Sequence, residues 1–358
     1  MRLCGGVVVR LAIIGVCGCL AMAFTQAGAP PTAPESATVH ALALPGAPPS
    51  GGVFMDYIAY DRVHHRLWVP AGNTASVDVV DTRSEKITQL AGFPTAEFER
   101  GGTKRTVGPS SATVGEKTVY VGNRGDSSVC ALDSATLEKG ACLKLESMPD
   151  GVAYVGTTKE VWVTTPRDRS LAILDASKAG ALTMKAKVPL EGSPEGYAVD
   201  EGRGIFYTNL EDKNRTLAID VRTRALTKTW LPKCGDDGPR GLAIDAAWNF
   251  LLVACTDHVN VLDAGHDGQL LSSVDTGSGI DNIDYVVSRH ELYAAAGRAA
   301  KLTVARLDAQ GKLTTVASVA TAAGARNAVA TDEGVAYLTD SPEGKLLVVT
   351  PTAHSKTR

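Results

Sequence analysis

One four-part unit recurs along the 358 residues of this chain. It opens with the pattern x-Gly-apolar-Ala-apolar-Asp, as in Glu195-Gly196-Tyr197-Ala198-Val199-Asp200 and Arg240-Gly241-Leu242-Ala243-Ile244-Asp245. A short turn leads to a second apolar stretch, such as Leu67-Trp68-Val69 or Val161-Trp162-Val163. The third stretch alternates and ends in Asp, as in Val77-Asp78-Val79-Val80-Asp81 and Val259-Asn260-Val261-Leu262-Asp263. The fourth is more polar, for example Leu226 to Leu231. Alanines of the first stretch fall at Ala59, Ala112, Ala153, Ala198, Ala243 and Ala330, with Asp284 in the sixth place. Aspartates of the third fall at Asp81, Asp133, Asp175, Asp220, Asp263 and Asp308, and both series step by 41 to 53 residues.

Period-two alternation marks strands. Four strands per repeat of this length describe one antiparallel blade of a β-propeller. Small residues belong in the first strand, because the innermost strands of all blades crowd around one axis. Counting first strands predicts an all-β, seven-bladed propeller over residues 37–351. The last repeat supplies only three strands before the polar tail 352–358. Thr38 to Leu44 is a strand without a blade, so it is predicted to pair with Lys345 to Val349. That pairing removes two free sheet edges at once.

The N-terminus reads as an export signal over residues 1–23. Arg2 and Arg10 flank the start of the apolar run Leu11 to Ala23, and Ala21-Met22-Ala23 is a small-x-small cleavage site. Thr25-Gln26-Ala27 is a second candidate site. Val16-Cys17-Gly18-Cys19 has the form of a lipobox, making Cys19 a candidate lipidation site for a tethered form. Residues 24–36, rich in Ala and Pro, read as a flexible leader. No later apolar stretch reaches membrane-spanning length. The expected location is periplasmic or extracellular, and the expected state is a monomer.

Export leaves four cysteines, Cys130, Cys142, Cys234 and Cys255, and an oxidising compartment favours disulfides. Cys130 and Cys142 sit symmetrically about a hairpin turn. Cys234 precedes the first strand of blade five, and Cys255 ends its second. The pairs 130 to 142 and 234 to 255 follow, each worth about 3 kcal/mol on the chain-entropy model.

The repeats resemble bacterial exported YVTN-type, YncE-like propellers, through their Gly-apolar-Ala-apolar-Asp first strands and third strands ending Val-Val-Asp, Ile-Leu-Asp and Val-Leu-Asp. The resemblance spans nearly the whole mature chain. The nearest approaches to a literal Tyr-Val-Thr-Asn are Tyr207-Thr208-Asn209 and Tyr120-Val121-Gly122-Asn123. A looser resemblance, at Pro149-Asp150-Gly151 and Pro194-Glu195-Gly196, is to gluconolactonase and regucalcin propellers. It implies a metal-dependent lactonase or hydrolase, with a divalent cation held over the channel.

A net charge of -3 gives no electrostatic reason to expect nucleic acid. The sequence carries no Cys-x-x-Cys-His, Gly-x-Ser-x-Gly or His-Glu-x-x-His motif. Residues just before each first strand should ring one mouth of the channel: Asp56, Pro109, Asp150, Glu195, Arg240, Asp281 and Asn327. Converging carboxylates repel one another, and Arg240, protons or a hard cation such as Ca²⁺ would relieve that. Asp150, Glu195 and Asp281 are the candidate metal ligands. Turns between second and third strands open on the same rim and add Asn123 and Asn209 to the candidate ligand-binding residues, besides Arg124 and Arg167, which read as solvated. The long connection Gly92 to Gly108 emerges there and is expected to edge or cover the mouth. His64 and His65 are expected to be exposed at the opposite rim. The leading expectation is a non-catalytic propeller that binds a small molecule or envelope protein at the ring.

Overall fold

The computed structural model describes residues 36–352. The signal segment, nearly all of the leader and residues 353–358 lie outside them. Among the described residues there are seven four-stranded antiparallel sheets and one two-stranded hairpin. The first strands of blades one to seven are Ala59–Asp61, Pro109–Val114, Val152–Val155, Pro194–Asp200, Leu242–Asp245, Ile283–Val286 and Ala325–Ala330. Each touches the first strands of its two neighbours, and those of blades seven and one also meet, so the sheets form a closed ring. The expected closure is present: Ala37–Ala43 pairs antiparallel with Lys345–Pro351, Val39 opposite Val349.

Alternation gives each sheet two apolar faces, and each face is buried against the next blade. The core is accordingly divided into seven clusters, one at each junction. Trp68 packs with Val119 and Val121 between blades one and two. Trp162 meets Phe206 between blades three and four, ring centroids 4.8 Å apart. Leu252 meets Leu292 between blades five and six. Each such buried side chain contributes about 1.5–3 kcal/mol. Near the axis the repeated glycine has a steric cause. A Cβ on Gly196 would collide with the carbonyl oxygen of Arg240, and one on Gly241 would press on the backbone of Asn282.

At the lower rim, aspartates that end strands accept hydrogen bonds from turn amides. Asp61 takes those of Val63 and His64 at 2.9 and 3.1 Å, and Asp245 that of Trp248 at 3.0 Å. Third-strand Asp133 takes the amide of Thr136, and Asp220 that of Thr223, both at 2.7 Å. These bonds hold Asp133 and Asp220 below the usual carboxylate range. His64 and His65 are half-buried rather than exposed, because Asp61 Oδ2 lies 2.7 Å from His64 Nδ1 and Tyr60 Oη 3.2 Å from His65 Nδ1.

Both expected disulfides are formed. Cys130 and Cys142 are direct cross-strand partners. Cys234–Cys255 ties the entry of blade five to the residue after its second strand, Phe250–Ala254. Two disulfides fit an oxidising compartment of the kind exported proteins occupy. No helix among the described residues is long and apolar enough to cross a membrane. Within the long connection, Ala96–Arg100 and Thr103–Val107 form a hairpin. Gly101 and Gly102 turn it with φ of 58° and 78°, a region that favours glycine.

Candidate functional site

The upper rim brings the first-strand entrances together, and their charges pair in an order the repeat does not follow. Arg124, from the turn after the second strand of blade two, donates to Asp56 Oδ2 at 2.9 Å and also to Asp150 Oδ1. Its side chain is only 12% exposed, so this arginine, read from sequence as a solvated turn residue, is the central cation of the mouth. Arg240, expected to neutralise the ring carboxylates, pairs instead with Glu211 in the turn of blade four. Arg326 reaches Asp281 Oδ2 at 3.0 Å. Glu195 has no ion pair or hydrogen bond among the described residues.

The three asparagines face inward to backbone. Asn327 takes φ of 56°, a conformation asparagine tolerates. Its side chain accepts from the Asn282 amide at 2.9 Å and donates to the Asp56 carbonyl at 3.2 Å, bridging blades six, seven and one. Asn209 donates to the Arg240 carbonyl at 2.7 Å and accepts from Thr216 at 2.7 Å. Asn123 donates to the Pro94 carbonyl at 3.0 Å, at the base of the hairpin.

Burial dominates the electrostatics of the acids. It pushes Asp56 up to about 7 in spite of Arg124, with Asp281 and Asp150 adding repulsion. Asp150 is raised by burial against the pull of Arg124. Glu195 lies well above the usual range, through burial and then the charges of Asp150 and Asp281. The opposing charges hold Arg124 and Arg326 protonated.

A cavity of about 490 Å³ opens at this mouth, lined by Asp150, Glu195, Glu211 and Arg124 and, from the hairpin, Phe98 and Arg105. Phe98 lies under the guanidinium of Arg167, 4.1 Å from ring centroid to carbon, and Arg105 sits 5.4 Å from the Phe54 ring. The hairpin thus edges the mouth. A second cavity, about 290 Å³, runs among the first strands and is lined by Asp56, Tyr57 and Tyr197. Among the residues lining these two cavities, three buried polar atoms have no hydrogen-bond partner: Asp150 Oδ2, Tyr57 Oη and Asn282 Nδ2. Among the described residues no group of three or more His, Cys, Asp or Glu is placed to hold a metal ion. Of the candidate ligands Asp150, Glu195 and Asp281, Asp150 gives one oxygen to Arg124 and Asp281 pairs with Arg326.

Arg124, Arg326 and Glu211 were the participants missed from sequence. Arg326 immediately precedes the ring residue Asn327, and Arg124 follows Asn123, so position was the available signal. The depth of their side chains was not.

The molecule is a disulfide-bonded seven-bladed propeller with an acidic, arginine-bridged mouth. No family model matches the chain, and no curated protein matches it. Solved structures match over most of its length. Virginiamycin B lyase from Staphylococcus aureus is 11% identical with a TM-score of 0.67, covering 88% of this chain and 100% of its own. A chain of the mitotic checkpoint complex is 13% identical at 0.67, covering 94% and 100%. A chain of Kuenenia stuttgartiensis hydrazine synthase is 13% identical at 0.68, covering 87% and 98%. At such identities the likeness is one of fold.

Proposed function

We propose that this chain is an exported binding propeller of the YVTN, YncE-like kind, which holds a small ligand in the mouth edged by the hairpin. The observation that carries the reading is Asp150 Oδ2. It is a buried carboxylate oxygen without a partner, on the wall of a cavity large enough for a small molecule. An orphaned buried acceptor costs about 1–3 kcal/mol or more, and a ligand donor would remove that cost. The fold neighbours range from a lyase to members of protein complexes, so fold supports a binding role only in general terms.

Thermal unfolding against a panel of amines, carboxylic acids, sugars and metal salts tests it, using the exported chain and a variant with residues 96–107 replaced by a short Gly-Ser link. At least one class should raise Tm, with the gain reduced in the variant. No shift from any class, or equal shifts in both proteins, would overturn the reading.

A further inference from the structure

We infer that the mouth recognises a primary ammonium group, seated between Asp150 and Glu195. This rests on the mouth being a ligand site, and it follows from counting charges there. Four carboxylates, Asp56, Asp150, Glu195 and Asp281, meet Arg124 and Arg326, while Arg105 and Arg167 of the cavity wall lie on the Phe98 ring, Arg169 reaches Asp212 and Arg240 pairs with Glu211. Arg124 satisfies Asp56 and the Oδ1 of Asp150, and Arg326 satisfies Asp281. Left over are Asp150 Oδ2, buried and unpartnered, and the Glu195 carboxyl, half-buried on the same cavity wall. Tyr57 supplies an independent observation: its ring is buried, stacked 5.7 Å from Tyr197, and its hydroxyl has no partner.

The chemistry of the missing group follows from these three. It must be positive, because the unmatched groups are acids in a desolvated place. It must carry N–H donors, because Asp150 Oδ2 and the Glu195 oxygens are acceptors and Tyr57 Oη can act as one. An ammonium offers N–H donors to Asp150 Oδ2 and the Glu195 oxygens, which line one cavity. A bare metal ion lacks the converging ligand set it would need. A quaternary ammonium has the charge and none of the donors. The rest of the ligand would extend into the cavity beneath Phe98.

Proton linkage supports the geometry. The acids acting most on Glu195 are Asp150, Asp281, Glu211 and Asp56; Arg124 and Arg326 oppose them, and Arg105, Arg167 and Arg169 share its cavity wall. Burial first and those acids second favour a proton on Glu195 when no cation is present. An ammonium would displace that proton, so binding releases a proton and strengthens as pH rises.

Titration calorimetry of the exported chain at constant ionic strength, in HEPES and in phosphate near pH 8, tests this with n-butylammonium chloride. Saturable one-to-one binding is expected, with a proton passed to the buffer. Affinity should fall at least about tenfold for tetramethylammonium, for Glu195→Gln and for Asp150→Asn. Glu195→Gln removes no internal contact, so its Tm near pH 8 should not fall below the parent's and its affinity stays interpretable. Equal binding of tetramethylammonium, or unchanged affinity in Glu195→Gln, would overturn the inference. Protein-dependent heat from sodium butyrate, or from calcium chloride in HEPES, with none from butylammonium would overturn it too, while leaving the mouth a binding site. Silence from every probe here, and from the whole thermal panel, would remove the site itself.

Discussion

The two rims of this propeller use the same acidic residues to opposite ends. At the lower rim Asp61, Asp200 and Asp245 are buried, and each accepts from a backbone amide two or three residues on. Neighbouring side chains complete them: Asp245 Oδ2 also takes the Tyr285 hydroxyl at 2.7 Å, and Asp200 Oδ2 lies 2.8 Å from Arg203. At the upper rim the acids converge on one space, share two arginines and leave acceptors empty. Satisfaction by the local turn is what makes the lower aspartates structural. The upper ones depend on arginines from other blades and keep an acceptor open, the basis on which we propose them as a site.

The largest effect should come from Arg124→Met. Removing one partner of a buried ion pair leaves uncompensated charge and costs about 3–5 kcal/mol. Urea unfolding near pH 7.5 should show that loss, and near pH 5 it should shrink as Asp56 and Asp150 take up protons. A loss independent of pH would mean that Arg124 acts by packing alone. Next in size is the tether on the entry to blade five. Cys234→Ser with Cys255→Ser opens a loop of 21 residues and should lower stability by about 3 kcal/mol, against a slightly smaller loss for the loop of 12 between Cys130 and Cys142. Asp245→Ala at the lower rim should cost about 1–3 kcal/mol by orphaning the Trp248 amide and removing one of the two partners of the Tyr285 hydroxyl, which keeps His290. It should leave ligand affinity at the mouth unchanged, and a change there would dissolve the distinction between the rims.

The same contrast explains what could be read from the sequence. Lower-rim and third-strand aspartates recur at one position blade after blade, because every turn needs the same acceptor. Recurrence made the fold, the closure by Ala37–Ala43 and both disulfides legible. The entrances do the reverse: Asp56, Pro109, Asp150, Glu195, Arg240, Asp281 and Asn327 occupy equivalent places with different chemistries. That break in the repeat marked the mouth. The pairing inside it was not legible, because Arg124 reaches blades one and three while Arg240 turns to Glu211, and side-chain reach across blades leaves no periodic trace. The hairpin was likewise visible as length, whereas its Gly101-Gly102 turn could have shown it to be a pair of strands.

The smallest effect is also the one most specific to the mouth. Glu195 has no internal partner, so Glu195→Gln removes a liability rather than a contact. A carboxyl raised in the folded state binds its proton more tightly there than in the unfolded chain. The stability it lends is therefore complete below the unfolded value near 4.5, and it is lost as pH rises through the folded one. Asp56 follows the same rule between 3.8 and about 7. Parent stability should accordingly decline from about pH 5 to pH 8 by an amount to which these acids contribute. Glu195→Gln should flatten part of that decline, leaving the variant equal to the parent near pH 5 and more stable by under about 1 kcal/mol near pH 8, where solvent at the open mouth screens the effect. Paired urea titrations at the two pH values check it. A variant less stable than the parent at pH 8 would mean that Glu195 holds the fold as the lower aspartates do, and the two rims would then differ in degree only.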